Sequence, residues 1–495
     1  MASGVVRHMI RTRGAVLGAI LVTAMALAGA TAEATTTAEP TLRLLGSQDH
    51  VTVQRFEGGL HLDLGIYAAA QGGPLRIDVR RDGWSGPITA RQGSRAIPAE
   101  LLDGFRGMKG FLRLSFSQGG RRVARTSVTF CPNGWDRQRV DDSGPQQPTF
   151  PESCPSHFPF TRAMVWGIDA GWASNASWTG DPEGQQTVDL PPGDYDVVAT
   201  ISPAWARVLQ VPADGRRVDL RVTVVQEEHP EEPRPVDARR HAEHRVDART
   251  YASPPPGGRL PDLVALPAWR LSTESEGRRD HLSFASTPWN AGPGPFVVEG
   301  FRRRSELVMD AYQYFHDAQG RVVGRAPVGE MAFHAGGGHD HWHFLQFAAF
   351  DLLTPDGRTV VRSQKQGFCM AATDPVDLSL PGASMRPHNT DLGSACGGPR
   401  ALWVREVLPA GWGDTYFNVS GQAFDITSLP NGRYLVRVRV DPMGALHQDR
   451  TDNDEAVRGV TLGGTRGART VDVEPWNGVH DVPFPAPAGG GITVG

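Results

Sequence analysis

The sequence predicts an all-β protein made of two tandem β-sandwich-like domains. Three observations predict it. Gly 58 and Pro 39 make up about a fifth of the 495 residues, a share that suits many short strands joined by tight turns and, lacking a G-X-Y period, excludes collagen. Apolar and polar residues alternate in short runs across 41–225, as strands with one wet face require. One turn-plus-strand pattern occurs twice, as VDLPPGDYDVV at 188–198 and as FDITSLPNGRYLV at 424–436. A turn of this kind recurs near the end of Ig-like sandwiches.

Each segment has its own composition. Residues 1–32 carry Arg7, Arg11 and Arg13, then an apolar run, then small residues. This is the pattern of a secretory signal peptide, which places the mature chain outside the cell with no membrane span after cleavage. Residues 41–225 hold the alternating runs of the first sandwich, including VTVQ at 51–54, LRIDV at 75–79, FLRLSF at 111–116 and VDLRV at 218–222. Its Trp84, Trp135, Trp166, Trp172 and Trp178 read chiefly as packing residues. Residues 226–258 have few apolar residues and no period, and they end in SPPPGG, so they read as a linker. His229, His241 and His244 within it read as parts of a solvated tether. Residues 259–464 form the second β-rich domain, and 465–495, ending in GGGITVG, read as a loosely ordered tail.

The charge balance excludes whole classes of function. Lys+Arg is 50 against Asp+Glu 54, a net charge of -4, which suits neither a nucleic-acid-binding surface nor an acidic solvating chain. The four cysteines fall as two pairs in different halves of the chain. In an exported protein this predicts two local disulfides, Cys131–Cys154 and Cys369–Cys396.

Two features carry chemistry. Residues 333–344 read FHAGGGHDHWHF, so His339, His341 and His343 alternate and face one side of an extended strand. Three imidazoles on one face make a metal site with open positions, and spacing alone leaves zinc, copper and iron equal. The Cα atoms of His339 and His343 would lie ~13 Å apart on a straight strand at ~3.3 Å per residue, so a bulge or strong twist is expected near Gly336–Gly338. The second feature is a scarcity. The chain has 48 arginines and two lysines, Lys109 and Lys365. A lysine surviving against such a bias marks a place where a primary amine is needed and a guanidinium will not serve.

Lys365 lies in RSQKQGFC, after the three histidines, and GDTYF with Tyr416 follows some fifty residues later. In this order, together with LPDLV at 260–264, FDIT at 424–427 and YLVRVRV at 434–440, the second domain resembles the catalytic domain of the lysyl oxidases, in a bacterial-type version with long loops and few disulfides. The resemblance covers about two-fifths of the chain. It implies a secreted copper amine oxidase. His339, His341 and His343 fall on the copper ligands, and Lys365 and Tyr416 on the pair that forms lysine tyrosylquinone. The implied reaction converts a primary amine, peptidyl lysine or a small amine, into an aldehyde with O₂, releasing ammonia and hydrogen peroxide. Asp262, Leu263 through its carbonyl, Asp449, Asp452 and Asn453 fall near the family's calcium site, where hard oxygen ligands collect.

The chain departs from the animal enzymes in places. After the last histidine, 344–350 reads FLQFAAF, without a titratable group, so a general base must come from elsewhere, with Asp351, His388 and Asp414 as candidates. His334 stands five residues before His339 and is not counted as a ligand. Two further readings of the same residues are a non-catalytic copper-binding extracellular module and a three-histidine zinc or iron enzyme.

Overall fold

The structure, a computed structural model, describes residues 40–482 apart from 57, 58, 61, 156, 178–187, 227–247, 304–306, 335–340, 366, 388–392 and 418–420. The protein is all-β. Among the described residues there is one α-helix, Pro203–Val208, against strands throughout.

Residues 41–226 build three sheets. A six-stranded sheet orders Gly59–Leu60, His50–Phe56, Arg217–Gln226, Gly193–Ile201, Met108–Gln118 and Arg121–Phe130, and two four-stranded sheets accompany it. The alternating runs of the sequence become strands whose apolar positions point inward. In Leu75–Arg81, for example, Leu75, Ile77 and Val79 are fully buried while Arg76 is exposed. Arg217–Gln226 runs parallel to His50–Phe56, whereas its other neighbour is antiparallel.

Residues 248–482 build four more sheets. The one that matters for chemistry has six strands, in the order Gly367–Phe368, His341–Leu345, Val322–His334, Val308–His316, Phe296–Arg302 and Trp403–Leu408. A five-stranded sheet of Thr359–Arg362, Ala348–Leu353, Gly432–Val440, Glu455–Thr465 and Ala468–Val473 packs with it around one apolar core that includes Phe284, Phe344, Phe347, Phe350, Phe368 and Val436.

The repeated turn has the same construction in both halves. Strands Gly193–Ile201 and Gly432–Val440 each begin at a glycine with φ of 151° and 149°, a conformation that favours glycine. Two residues on, the Tyr195 hydroxyl donates to Pro191 O at 2.8 Å and the Tyr434 hydroxyl donates to Pro430 O at 2.9 Å. Each is a tyrosine corner of the Ig-like kind.

Three expectations need correction. The segment after 464 is not a loose tail throughout: Ala468–Val473 pairs with Glu455–Thr465, Glu474 holds Arg433 at 2.6 Å, and Asp481 accepts from the N–H groups of Arg270 and Leu271 at 2.8 and 3.0 Å. The exposed hairpin has low hydrophobicity, which made it read as tail. The linker reading fails for 248–258, where Thr250 bridges Arg325 and the Tyr251 N–H donates to Arg325 O at 2.8 Å. Residues 227–247, with the three linker histidines, lie outside the described residues, as do 1–32.

The halves also do not stand apart. Trp84 from the first meets Trp289 and Trp476 from the second at 6.3 and 5.6 Å between ring centres, and Phe160 meets Trp269 at 6.3 Å. Leu378, Trp412 and Ala372 enter the core of the first half. Backbone crosses too, with the Leu378 N–H donating to Ala163 O at 3.0 Å. Trp166 is fully buried and Trp172 nearly so, while Trp135 is exposed and Trp178 lies outside the described residues. Both expected disulfides are present, Cys131–Cys154 and Cys369–Cys396. Among the described residues no helix is long and apolar enough to cross a membrane.

Candidate functional site

The histidine strand His341–Leu345 pairs with Val322–His334 so that His341 lies opposite His334 and His343 opposite Ala332. Strand alternation puts His341 and His343 on one face, and the pairing adds His334 to it. The Nε2 atoms of His341 and His343 are 3.0 Å apart, and their ring centres are 4.6 Å apart. The rings of His334 and His343 are 5.4 Å apart. Trp342 and Phe344 take the opposite face and are buried. His339 and the glycines before it lie outside the described residues, and among the described residues no three His, Cys, Asp or Glu side chains close into a metal-binding group. The pair that is described fits one ion. Two nitrogens bound at ~2.1 Å to a tetrahedral ion are ~3.4 Å apart, a small opening of the 3.0 Å contact seen here.

Lys365 comes to this strand through its neighbours. Gly367 and Phe368 pair with Leu345 and Phe344. A Cβ on Gly367 would stand 2.9 Å from His343 Cβ, so only a glycine lets the lysine segment lie flat on that histidine. Lys365 is buried, and its Nζ sits 4.8 Å from the Phe368 ring centre and 4.9 Å from the Tyr416 ring centre. Residues 51 positions apart in the chain therefore share one cage. Tyr416 is delivered by a bridge to Ser286, with N–H to O distances of 3.0 Å in both directions.

The electrostatics of the cage are unusual. Burial pulls the Lys365 amine down to about 8, against the opposing pull of Asp414. Burial also pushes the Asp414 carboxyl up to about 7, although bonds from Tyr416 and from the Ala371 N–H favour its charged form. Tyr416 is half-buried as a residue, but its hydroxyl is enclosed, and burial and then the Asp414 charge hold the phenol well above its ordinary value. The hydroxyl donates to Cys369 O at 2.9 Å.

The other base candidates are placed differently. Asp351 is buried beneath Arg362, Arg437 and Arg439 at 3.1, 2.7 and 3.2 Å, a structural cage that leaves the carboxylate no free role. His388 lies outside the described residues.

The calcium segments converge in part. Asn453 Nδ2 donates to Asp262 Oδ1 at 2.9 Å, the Asp449 N–H donates to Pro261 O at 2.8 Å, and the Leu263 N–H donates to Gln448 Oε1 at 3.0 Å. The Oδ1 of Asn453 is buried without a hydrogen-bond partner, an acceptor that a hard cation would satisfy. Asp452 instead turns outward onto Arg450 at 2.9 Å. The acid turned toward the cluster is Asp454, pushed up to about 6 by burial and then by Asp441.

Sequence reasoning set His334 aside and passed over two further residues. His334 is visible only once strand register is known. Asp454 sits one position beyond Asn453, the last residue singled out. Glu406 carried a signal. In the strand Trp403–Leu408, Val404, Glu406 and Leu408 share the buried face, so an acid stands in an apolar row. The chain matches no protein-family model and no curated protein.

Proposed function

We propose that the protein is a secreted amine oxidase that uses copper and a lysine tyrosylquinone formed from Lys365 and Tyr416. The observation that carries this reading is the placement of the Lys365 amine 4.9 Å from the Tyr416 ring, on a segment seated against His343. A surface lysine beside a packing tyrosine needs neither burial nor a neighbouring row of imidazoles.

His341 and His343 would hold the copper, with His339 as the third ligand from the sequence pattern. When bound, copper and the quinone supply the electron sink and oxygen chemistry that side chains lack, so that RCH₂NH₂, O₂ and H₂O become RCHO, NH₃ and H₂O₂. The chain's own residues do the rest. With its amine brought down to about 8, Lys365 is substantially neutral at mildly alkaline pH and so is nucleophilic toward an oxidised ring. Phe368 flanks the amine and limits its swing to the Tyr416 side. Asp414, pushed up to about 7, is tuned as a general base that takes a proton from the carbon bearing the substrate amine. Calcium held by Asp262, Asn453 and Asp454 would brace the start of the domain against its end; the donor set of oxygens suits that ion.

The test is mass spectrometry of copper-loaded protein for a Lys365–Tyr416 linkage, with amine-dependent peroxide release measured in parallel. Linkage and peroxide are expected together. Copper binding without either would leave a non-catalytic copper module.

A further inference from the structure

Glu406 is fully buried, and burial holds its carboxyl well above the usual carboxylate range. Its strand Trp403–Leu408 forms one edge of the six-stranded sheet, while the histidine strand lies near the other edge. Glu406 nevertheless reaches across. Its Oε1 accepts the Phe344 N–H at 3.0 Å and its Oε2 accepts the Met370 N–H at 3.0 Å. The sheet curls until its two ends meet, and this carboxyl group is one of the joints. The Trp342 N–H, donating to Cys396 O at 3.1 Å, is another.

The two donors are not arbitrary. Phe344 follows His343, and Met370 follows Cys369, whose carbonyl receives the Tyr416 hydroxyl. The ladder between His341–Leu345 and Gly367–Phe368 covers only two residue pairs, Phe344 with Phe368 and Leu345 with Gly367, and the N–H groups of Phe344 within it and of Met370 just beyond it both need an acceptor, which Glu406 supplies. A neutral acceptor would satisfy them at lower desolvation cost. A carboxyl group instead offers two oxygens on one rigid plane and fixes two segments with a single side chain.

Building on the amine-oxidase reading, we propose that Glu406 is a positioning residue that sets the histidine strand at a fixed distance from the segment carrying Lys365 and the Tyr416 hydrogen bond. It touches neither metal nor substrate. It acts through the backbone of Phe344 and Met370, on one side holding His343 and on the other holding the cage in which the linkage forms.

The test compares the full chain with Glu406→Gln, Glu406→Asp and a control, Asp169→Asn, in the first sandwich. There a buried carboxylate likewise accepts a backbone N–H, that of Thr149, at 2.7 Å. Each protein is loaded with copper(II), its electron paramagnetic resonance spectrum is recorded, its Lys365–Tyr416 linkage is quantified by mass spectrometry, and its melting temperature is taken. Both Glu406 variants should shift the copper spectrum and lower linkage at saturating copper at least tenfold. Asp169→Asn should lower the melting temperature and move neither readout. Glu406 variants with the unaltered spectrum and linkage overturn the proposal. If the unaltered chain binds copper but never links, the oxidase reading falls, and the copper spectrum of the variants alone decides for or against Glu406. If the variants do not fold or the chain binds no copper, amide exchange in the unaltered protein decides. Phe344 and Met370 should exchange slowly and at matched rates, and fast exchange at either removes the clamp.

Discussion

Lys365 at neutral pH is a buried ammonium at a disadvantage. Its folded value of about 8 lies below the ordinary lysine value, so the penalty is fully present below pH 8 and is relieved as pH rises toward that ordinary value. Lys365→Met should therefore raise the melting temperature at pH 7, by about 1 °C per kcal/mol recovered for a unit of this size, and the gain should shrink by pH 10. The same variant, like Lys365→Arg, should abolish the linkage and redox-cycling quinone staining. A Lys365→Met protein that melts lower at pH 7 would mean the amine is stabilising and the cage has been misread. Asp414 has the opposite sign. Its folded carboxyl, at about 7, holds a proton the unfolded chain has released, so its contribution to stability falls as pH climbs from the ordinary carboxylate value to 7. As the base, it should give kcat/KM an acid limb near pH 7. Asp414→Asn should cut the rate about 10²–10⁴-fold and erase that limb, measured as initial peroxide release across pH 5–9. At this scale the sequence was legible where chemistry is rare. Two lysines among 48 arginines made Lys365 conspicuous. Nothing in composition or spacing could show that Asp414 is buried or that Asp351 is caged by arginines, because both depend on partners distant in the chain.

The elements that deliver these side chains are short, and their precision comes from contacts beside them. Gly367 is the clearest case. Its missing Cβ leaves room for His343, and an added methyl would meet that residue's Cβ at 2.9 Å, an atom too close to the backbone to swing aside. Gly367→Ala should broaden the copper signal in paramagnetic resonance while leaving both disulfides intact by mass spectrometry; an unchanged signal would mean that the lysine segment does not press on the histidine strand. The two tyrosine corners offer a matched pair on the stability side. Tyr195→Phe and Tyr434→Phe each remove one hydroxyl-to-carbonyl bond of nearly equal length, so each should cost about 1 kcal/mol in urea unfolding. These corners were readable in the sequence because the glycine, the tyrosine two residues later and the proline before them are local. The histidine face was readable only in part. Alternation revealed His341 and His343, but His334 joins them through strand register, a long-range property that no single segment encodes.

The whole molecule is all-β, and residues 39–495 form one compact unit in which the two halves of the chain meet along a seam. No sheet of the described residues mixes strands from 41–226 with strands from 248–482, although both sets of strands belong to one compact unit. The rings that join the halves were not legible in the sequence. Trp84, Phe160, Trp269, Trp289 and Trp476 are scattered over nearly four hundred positions, and each looks like an ordinary core residue in its own segment. Aromatic pairs of this kind contribute ~0.5–1.5 kcal/mol each beyond the area they bury, and here several act at one seam, alongside the Leu378–Ala163 backbone bond and the Arg386–Glu152 pair at 2.9 Å. The segment 372–386 that supplies much of this contact also leads directly from Cys369 and Met370 at the candidate site. The first half of the chain therefore buttresses the loops of the candidate site. Cutting the chain at a protease site inserted within 227–247 should leave two fragments that co-elute in gel filtration and unfold in one transition. Trp84→Ala should loosen that association and lower linkage formation in copper-loaded protein without touching any residue of the cage. Fragments that separate on cutting, with the second still forming the linkage at full rate, would show that the seam is incidental to the site it borders.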